Sequence, residues 1–212
     1  MDQEVLYVAD PMCSWCWGFA PVIEKIEAKF GDRATLGLVV GGLRAGNTEV
    51  LSEEKKRYSL EHWHRVHELT QQPFDFAFNL PQGWVYDTEP ACRAAVVVRK
   101  LKPETTFAYF KALQHAFYVE NQDLTQLAIL ASLAEPFGLE REAFSACWCA
   151  ETTKRKTSQD FLHAQRLGVR GFPSIVLKDT QGYVRLSSGY QRYEQLAPHL
   201  EAWLNGGLDA RS

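Results

Sequence analysis

The sequence predicts an α/β fold in which strands from both ends of the chain build one sheet and a helical block is inserted between them. Three observations lead to this prediction. A strand–helix–strand pattern occupies residues 5–40, helical signals dominate from about residue 44 to about residue 152, and a proline-led strand hairpin with a final helix follows. Strands joined by one helix pair in parallel through a right-handed crossover, so the first two strands are expected to be neighbours.

The first strand and the first helix meet at a pair of cysteines. Residues 5–9 form a short apolar run without alternation, which is typical of a strand buried on both faces. Pro11 ends this strand, because proline cannot donate a hydrogen bond to a sheet ladder. Apolar residues at helical spacing then run to Phe30, so Cys13 and Cys16 are expected at the start of a helix.

The position of these two cysteines has a chemical consequence. The first turn of a helix presents unpaired N–H groups and the positive end of the helix dipole, and both stabilise an anion. We therefore expect the pKa of Cys13 to lie below the ~8.5 of a free cysteine, so that Cys13 is the attacking thiol. Cys16 follows three residues later on the same helix face, within disulfide reach, and is expected to resolve the mixed disulfide.

An alternative for Cys13 and Cys16 is one half of a zinc site. Tetrahedral zinc needs two more ligands, usually a second close pair. Cys147 and Cys149 form such a pair, but they lie far away in the sequence with Trp148 between them. Neighbouring positions of a helix also point apart, which argues against an accessory dithiol there. The strand–CxxC–helix context therefore favours a redox pair.

The remaining strands and helices follow from the same patterns. Residues 35–40, 175–177 and 183–186 are predicted to be strands, the last two joined as an antiparallel hairpin. A helix is expected from Thr153 to the C-terminal glycine signal at Gly168, and an amphipathic helix follows the hairpin.

Helix signals fill the middle of the chain. Residues 53–69 combine charged residues with apolar positions at helical spacing. Thr88 is predicted to cap a helix that runs to Lys100. Asp123 and Gln126 have the spacing of a capping box before another apolar helix.

The length, the hydrophobic content and the net charge of the chain indicate its domain organisation and exclude several classes of function. The 212 residues suffice for one domain with an insertion, which we place at 44–152, leaving 1–43 and 153–212 for the sheet domain. A hydrophobic content of 46% excludes a disordered chain. The net charge of −3 gives no electrostatic reason to expect nucleic acid or an anionic membrane as a partner.

The N-terminus and the cysteine content favour a cytoplasmic protein. Residues 1–4 lead directly into the first strand without a leader pattern, and no apolar stretch approaches the ~20 residues that span a bilayer. Five cysteines cannot all pair, and a reducing compartment keeps most of them as thiols.

The order of elements is strand–CxxC–helix–strand, then a helical insertion, then x-Pro–strand–hairpin–helix. Four stretches carry more specific wording, at residues 10–19, 41–44, 88–93 and 168–173. In both respects the sequence resembles the DsbA-like form of the thioredoxin superfamily, and the four stretches resemble its FrnE-type branch. Members of this branch are often provisionally named protein-disulfide isomerases.

The resemblance implies roles for Pro173 and Phe172, and the positions of two tryptophans beside the cysteines indicate theirs. Pro173 would be the cis-proline that faces the CxxC motif, and the backbone of Phe172 would offer an edge to an extended substrate peptide. Trp15, between the two cysteines, is expected to be exposed and to contact substrate. Trp17, after the pair, is a candidate core residue.

One position departs from the family pattern. Relatives carry a buried carboxylate six residues before the first cysteine, where it helps to move the proton of the resolving thiol. Tyr7 occupies that place in this chain, and the nearest acid is Asp10. Proton transfer from Cys16 is therefore expected to rely on water or on Asp10.

The resemblance and the motif together predict a thiol–disulfide oxidoreductase, or protein-disulfide isomerase, that works by mixed-disulfide exchange at Cys13 and Cys16 without a cofactor or metal. Its expected partners are protein or small-molecule disulfides, with glutathione as a candidate. One alternative is a glutathione-dependent isomerase or transferase of the kappa or hydroxychromene-carboxylate type, whose members typically carry serine in place of the first cysteine. Another is a non-catalytic metal- or partner-binding thioredoxin-fold module.

Other reactive side chains have simpler interpretations. Cys92 lies near a helix N-terminus among alanines, which indicates a buried, inert thiol. Of His62, His64 and His67, only the last two share a helix face, and they lack a clear third ligand. We therefore expect these histidines on the surface rather than in a metal site.

Overall fold

The computed structural model describes residues 3–206 and has the predicted α/β architecture. The strands are β1 (Glu4–Ala9), β2 (Thr35–Val40), β3 (Ser174–Asp179) and β4 (Gly182–Ser188). The helices are α1 (Ser14–Phe30), α2 (Glu53–Thr70), α3 (Glu89–Leu101), α4 (Thr106–Tyr118), α5 (Leu127–Ala134), α6 (Arg141–Cys149), α7 (Glu151–Arg166) and α8 (Tyr193–Leu204). Short 3₁₀ turns occupy Pro103–Thr105 and Glu135–Phe137.

The sheet takes two strands from each end of the chain, as the sequence predicts. Its order is β2-β1-β3-β4, with β1 parallel to β2 and antiparallel to β3. The β3–β4 pair is the predicted antiparallel hairpin. Strand β1 therefore lies inside the sheet, and it is buried on both faces as its unbroken apolar run indicates.

Alternate residues of β1 enter different hydrophobic clusters. Val5, Tyr7 and Ala9 face the large core, which includes residues of α1, α3, α4 and α8. Leu6 and Val8 face a smaller cluster formed with α7. Because successive side chains of a strand point to opposite faces, β1 has helices α1, α3, α4 and α8 on one face and α7 on the other. The loop that follows β1 therefore begins between these two groups of helices.

The structure confirms the position of one predicted helix cap and contradicts the other. Thr88 is the N-cap residue of α3, but its hydroxyl makes no capping hydrogen bond and instead accepts one from the backbone N–H of Arg44 at 3.1 Å. Asp123 is not a cap, because α5 begins only at Leu127 with Gln126 as its N-cap residue. The Asp123 carboxylate accepts hydrogen bonds from the backbone N–H of Thr125 at 3.0 Å and from the indole Nε1 of Trp84 at 2.7 Å.

The central helical region lies between β2 and α7 and positions one wall of the site. Within the described residues, no helix has both the length and the apolar composition needed to cross a bilayer. The exact boundaries of the insertion, 44–152, stay a prediction.

Candidate active site

The CxxC motif lies where β1 gives way to α1. Cys13 is the N-cap residue of α1, with an extended backbone, and its carbonyl accepts hydrogen bonds from the N–H groups of Cys16 at 2.9 Å and Trp17 at 3.1 Å. Both cysteines are free thiols. Cys13 is 6% exposed whereas Cys16 is 0% exposed, so only the first sulfur is open to a substrate.

Phe172 lies beside the first cysteine despite the long sequence separation. The Sγ of Cys13 is 3.8 Å from the carbonyl oxygen of Phe172, and the Phe172–Pro173 peptide bond is cis. A side chain at Gly41 would lie 2.1 Å from the Phe172 ring, so this approach requires glycine at that position. The structure thus places the backbone carbonyl of Phe172 beside the thiol of Cys13.

Asp10 is buried beneath the motif and holds its loop in place. Its carboxylate accepts hydrogen bonds from the backbone N–H groups of Met12 at 2.8 Å and Leu43 at 2.6 Å, and from the thiol of Cys92 at 3.5 Å. The hydroxyl of Thr88 also donates to it. Burial raises the pKa of Asp10, and these hydrogen bonds oppose that rise.

Cys16 lies in an apolar interior with a phenol beside it. Burial raises the pKa of the Cys16 thiol well above its usual range, and the neighbouring Cys13 raises it further. Tyr7 donates a hydrogen bond to the carbonyl of Cys16 at 3.4 Å and also contacts its thiol. Because burial raises the pKa of Tyr7 as well, this phenol donates a hydrogen bond at neutral pH but does not accept the proton of Cys16.

A groove of about 360 Å³ opens above Cys13, and we call it the thiol groove. Its walls are residues 12–15, residues 43–44, one face of α2, Tyr86 and residues 171–172. The hydroxyl of Tyr86 donates to the carbonyl of Met12 at 2.6 Å, which fixes this wall to the residue that precedes Cys13.

The residues predicted to contact substrate, Trp15, Phe172 and Pro173, all lie near Cys13, but the predicted exposure of Trp15 is wrong. Trp15 lines the thiol groove but is half-buried rather than exposed, because its ring packs against Tyr190 with centroids 5.9 Å apart. Trp17 is buried in the core, and its indole donates to the carbonyl of Pro73 at 2.8 Å.

Sequence reasoning missed Arg44, Tyr58 and Tyr86 as parts of the site. The stretch that contains Arg44 counted only toward the family resemblance, and Tyr58 counted as an apolar position of a helix. Nothing local in the sequence places these residues near Cys13, because β2, α2 and α3 must first pack together.

The remaining candidates lie outside the thiol groove, except for His62. Cys92 is buried, as predicted, and burial raises the pKa of its thiol. His64 stacks on Phe76 with ring centroids 4.0 Å apart, and Nδ1 of His67 bonds to the carbonyl of Gln72. In residues 3–206, no three His, Cys, Asp or Glu side chains come together as a metal would require.

Comparison with known proteins identifies the family. The sequence model of the family called DSBA-like thioredoxin domain matches residues 4–201, and the chain therefore belongs to this family. The fold is accordingly thioredoxin-like with a helical insertion, as the sequence resemblance implies. The FrnE-type branch within the family stays a prediction.

Two solved structures show the same architecture. One is a protein from Nitrosomonas europaea, provisionally named a protein disulfide isomerase, with 40% identity, a TM-score of 0.91 and coverage of 97% of this chain and 99% of that one. The other is the cytosolic disulfide reductase DsbM from Pseudomonas aeruginosa, with 24% identity, a TM-score of 0.75 and coverage of 95% and 98%. DsbM has also been solved with GSH.

Curated relatives are more distant. The ClpXP adapter protein SpxH of Bacillus subtilis is 22% identical over 182 residues, which cover 84% of this chain and 59% of that protein. The chain thus matches about three fifths of the length of this relative.

Proposed function

We propose that the protein is a thiol–disulfide oxidoreductase that works by mixed-disulfide exchange at Cys13 and Cys16. One observation carries the proposal. A reduced CxxC pair lies at the N-terminus of α1, with one sulfur at the base of an open groove beside the Phe172 carbonyl and the other fully buried. This asymmetry separates an attacking thiol from a resolving thiol.

The exchange takes two steps. The Cys13 thiolate attacks one sulfur of a substrate disulfide, forms a mixed disulfide and releases the other substrate sulfur as a thiolate. Cys16 then attacks the Sγ of Cys13, which releases the second substrate thiol and leaves a Cys13–Cys16 disulfide. The substrate gains two electrons and two protons, both from the protein dithiol, and the reverse sequence oxidises a client dithiol.

The buried setting of Cys16 divides the proton chemistry between two neighbours. Cys16 is protonated in the resting enzyme, because burial and Cys13 raise its pKa. Tyr7 stands in the position where relatives carry an acid; its hydroxyl donates to the backbone carbonyl of Cys16 and contacts the thiol, so it can orient Cys16 but cannot take its proton. We propose Asp10 as the acceptor of the proton, directly or through water, since burial raises the pKa of its carboxyl and makes it a better base.

The substrate contacts and the compartment follow the family. We propose that an extended client pairs with the backbone at Phe172 beside Pro173 and packs on Trp15. The description of DsbM as a cytosolic disulfide reductase, and its structure with GSH, support a reductive role in the cytoplasm with glutathione as an electron donor. Isomerisation of a protein disulfide would use the first step only, after which another thiol of the substrate attacks the mixed disulfide, forms a new substrate disulfide and releases Cys13 as a thiolate.

A second candidate is a protein-binding adapter. The names of the curated relatives carry this possibility, since SpxH is called a ClpXP adapter protein. An adapter needs the fold and its surface but not the chemistry of the two thiols. The two functions therefore differ in their dependence on Cys13 and Cys16.

Reduction of insulin by dithiothreitol tests the first function. The wild type should accelerate the reaction, and a variant with both Cys13→Ser and Cys16→Ser should not. A glutathione-conjugation assay should detect no transferase activity. If the wild type does not accelerate insulin reduction either, the oxidoreductase function is refuted. If the double variant then captures the same partner proteins from a lysate as the wild type, the adapter function is favoured.

A further inference from the structure

We propose that Arg44 makes the thiol groove selective for small disulfides that carry carboxylates. This inference rests on the oxidoreductase function and adds a substrate class to it. Arg44 lines the same groove as Cys13, and none of the described residues that line it is acidic. The groove therefore combines the attacking sulfur with a cation that has no acidic neighbour on its walls.

The guanidinium of Arg44 is held without being neutralised. Its carbon lies 4.5 Å from the centroid of the Tyr86 ring, a cation–π arrangement. Its backbone N–H is fixed by Thr88 at 3.1 Å. In residues 3–206, Arg44 forms no ion pair with a carboxylate, so its donors are available to a ligand.

The same tyrosine couples the cation to the reactive end of the groove. Tyr86 holds the guanidinium on its ring face and the carbonyl of Met12 through its hydroxyl, at 2.6 Å. Cys13 follows Met12 directly. A carboxylate bound by Arg44 is therefore placed at a defined position relative to the Cys13 sulfur, and guanidinium binds carboxylates by a two-pronged hydrogen bond.

The size of the groove favours a small substrate. Its volume of about 360 Å³ lies at the lower end of the range for pockets that take small molecules. Tyr58 is 56% exposed and Leu43 is 44% exposed at its rim, where they can cover the apolar stem of such a ligand. The occupant we propose is a low-molecular-weight disulfide with a carboxylate a few bonds from the sulfur.

Three disulfides of similar length and different charge test this selectivity. They are dithiodipropionate with two carboxylates, bis(hydroxyethyl) disulfide without charge, and cystamine with two ammonium groups. Stopped-flow mixing of each with the reduced protein gives a rate constant for formation of the Cys13–Cys16 disulfide. Comparing each variant with the wild type cancels the different leaving-group pKa values of the three compounds.

Arg44→Gln should lower the rate ratio of dithiodipropionate to bis(hydroxyethyl) disulfide about tenfold, the size of one charge-assisted hydrogen bond. Arg44→Lys should give an intermediate ratio, because lysine keeps the charge but not the planar fork. The matched control is Arg57→Gln, which removes the same charge from an exposed position of α2 that does not line the groove. It should leave the ratio unchanged. Added salt should lower the wild-type rate ratio of dithiodipropionate to bis(hydroxyethyl) disulfide, because it screens the charge of Arg44.

The possible failures are distinguishable. If the reduced wild type reacts with none of the three disulfides, the oxidoreductase function fails and the selectivity with it. If Arg44→Gln slows all three disulfides equally, Arg44 supports the structure without selecting substrate, and the inference is refuted. An equal change of the ratio in Arg57→Gln would also refute it, because overall charge would then explain the preference.

Discussion

The chain contains two close pairs of cysteines, and their surroundings differ completely. Cys13 and Cys16 stand at the beginning of α1, whereas Cys147 and Cys149 stand at the end of α6. Each pair has a tryptophan between its members. In the first pair both residues are buried and only Cys13 lines the thiol groove, whereas Cys147 is half-buried and Cys149 is exposed.

The comparison shows that helix position and spacing distinguish the two pairs more than composition does. The N-terminus of a helix favours an anion and the C-terminus disfavours it. Residues three apart share a helix face, whereas residues two apart do not. The Sγ of Cys147 contacts only the hydroxyl of Thr153 at 3.6 Å among the described side-chain hydrogen bonds, so nothing there resembles the Cys13–Cys16 arrangement.

The largest expected effect is the loss of activity in Cys13→Ser. Without the attacking sulfur, reduction of insulin by dithiothreitol should fall to the rate measured without protein. Cys147→Ser is the matched control and should keep its rate within about twofold of the wild type, because Cys147 does not line the thiol groove. An equal loss of insulin-reduction activity in Cys13→Ser and Cys147→Ser would show that the two cysteine pairs do not differ in function.

Next in size is the trapping of clients by Cys16→Ser. Mixed disulfides at Cys13 cannot be resolved in this variant and should accumulate as higher bands on non-reducing gels of a lysate. Cys149→Ser should trap nothing, although it also removes the second cysteine of a pair. Bands that persist when Cys13→Ser is added to Cys16→Ser would contradict the assigned order of attack.

A smaller effect separates the two thiols of the active pair. Brief iodoacetamide treatment of the reduced, native protein near neutral pH should label Cys13 at least about tenfold faster than Cys16, since burial and Cys13 raise the pKa of Cys16. Mass mapping gives the ratio, with exposed Cys149 as an internal reference. Denatured protein should label all the cysteines alike, and preferential native labelling of Cys16 would reverse the roles.

The smallest effect concerns the acid beneath the first pair. Asp10→Asn turns one acceptor oxygen into a donor that faces other donors, which should lower the free energy of unfolding by about 1–3 kcal/mol in urea titrations. Asp75→Asn is the control, because Asp75 is exposed and also accepts a backbone N–H. It should change stability little.

The pH dependence of this effect follows from the raised pKa of Asp10. The native state holds the proton of Asp10 more tightly than the unfolded state, so its stabilising contribution is complete below the unfolded pKa of about 3.9 and is lost as pH rises through the folded pKa. As pH rises from the unfolded pKa to the folded pKa of Asp10, the free energy of unfolding of the wild type should therefore approach that of Asp10→Asn. A difference that grows with pH would show that burial does not dominate at Asp10.

The sequence by itself determined the parts of the protein that depend on local pattern. The bounds of β1 and β2, the hairpin after Pro173 and the position of the CxxC motif at a helix start were all predictable. Apolar periodicity and proline or glycine breaks act within a few residues, so they can be read without the fold. The family resemblance added the expectation that Phe172 faces Cys13.

Only the tertiary structure decided which side chains meet around the thiols. The sequence marked Asp10 only as the nearest acid to Cys13, whereas in the structure it is the buried acceptor that joins Met12, Leu43 and Cys92. Thr88 is the N-cap residue of α3, as predicted, but its hydroxyl accepts a hydrogen bond from the Arg44 backbone rather than from the first turn of that helix. A polar side chain takes the best partner available in the folded interior, where an unmet hydrogen bond is costly, and that partner can lie tens of residues away.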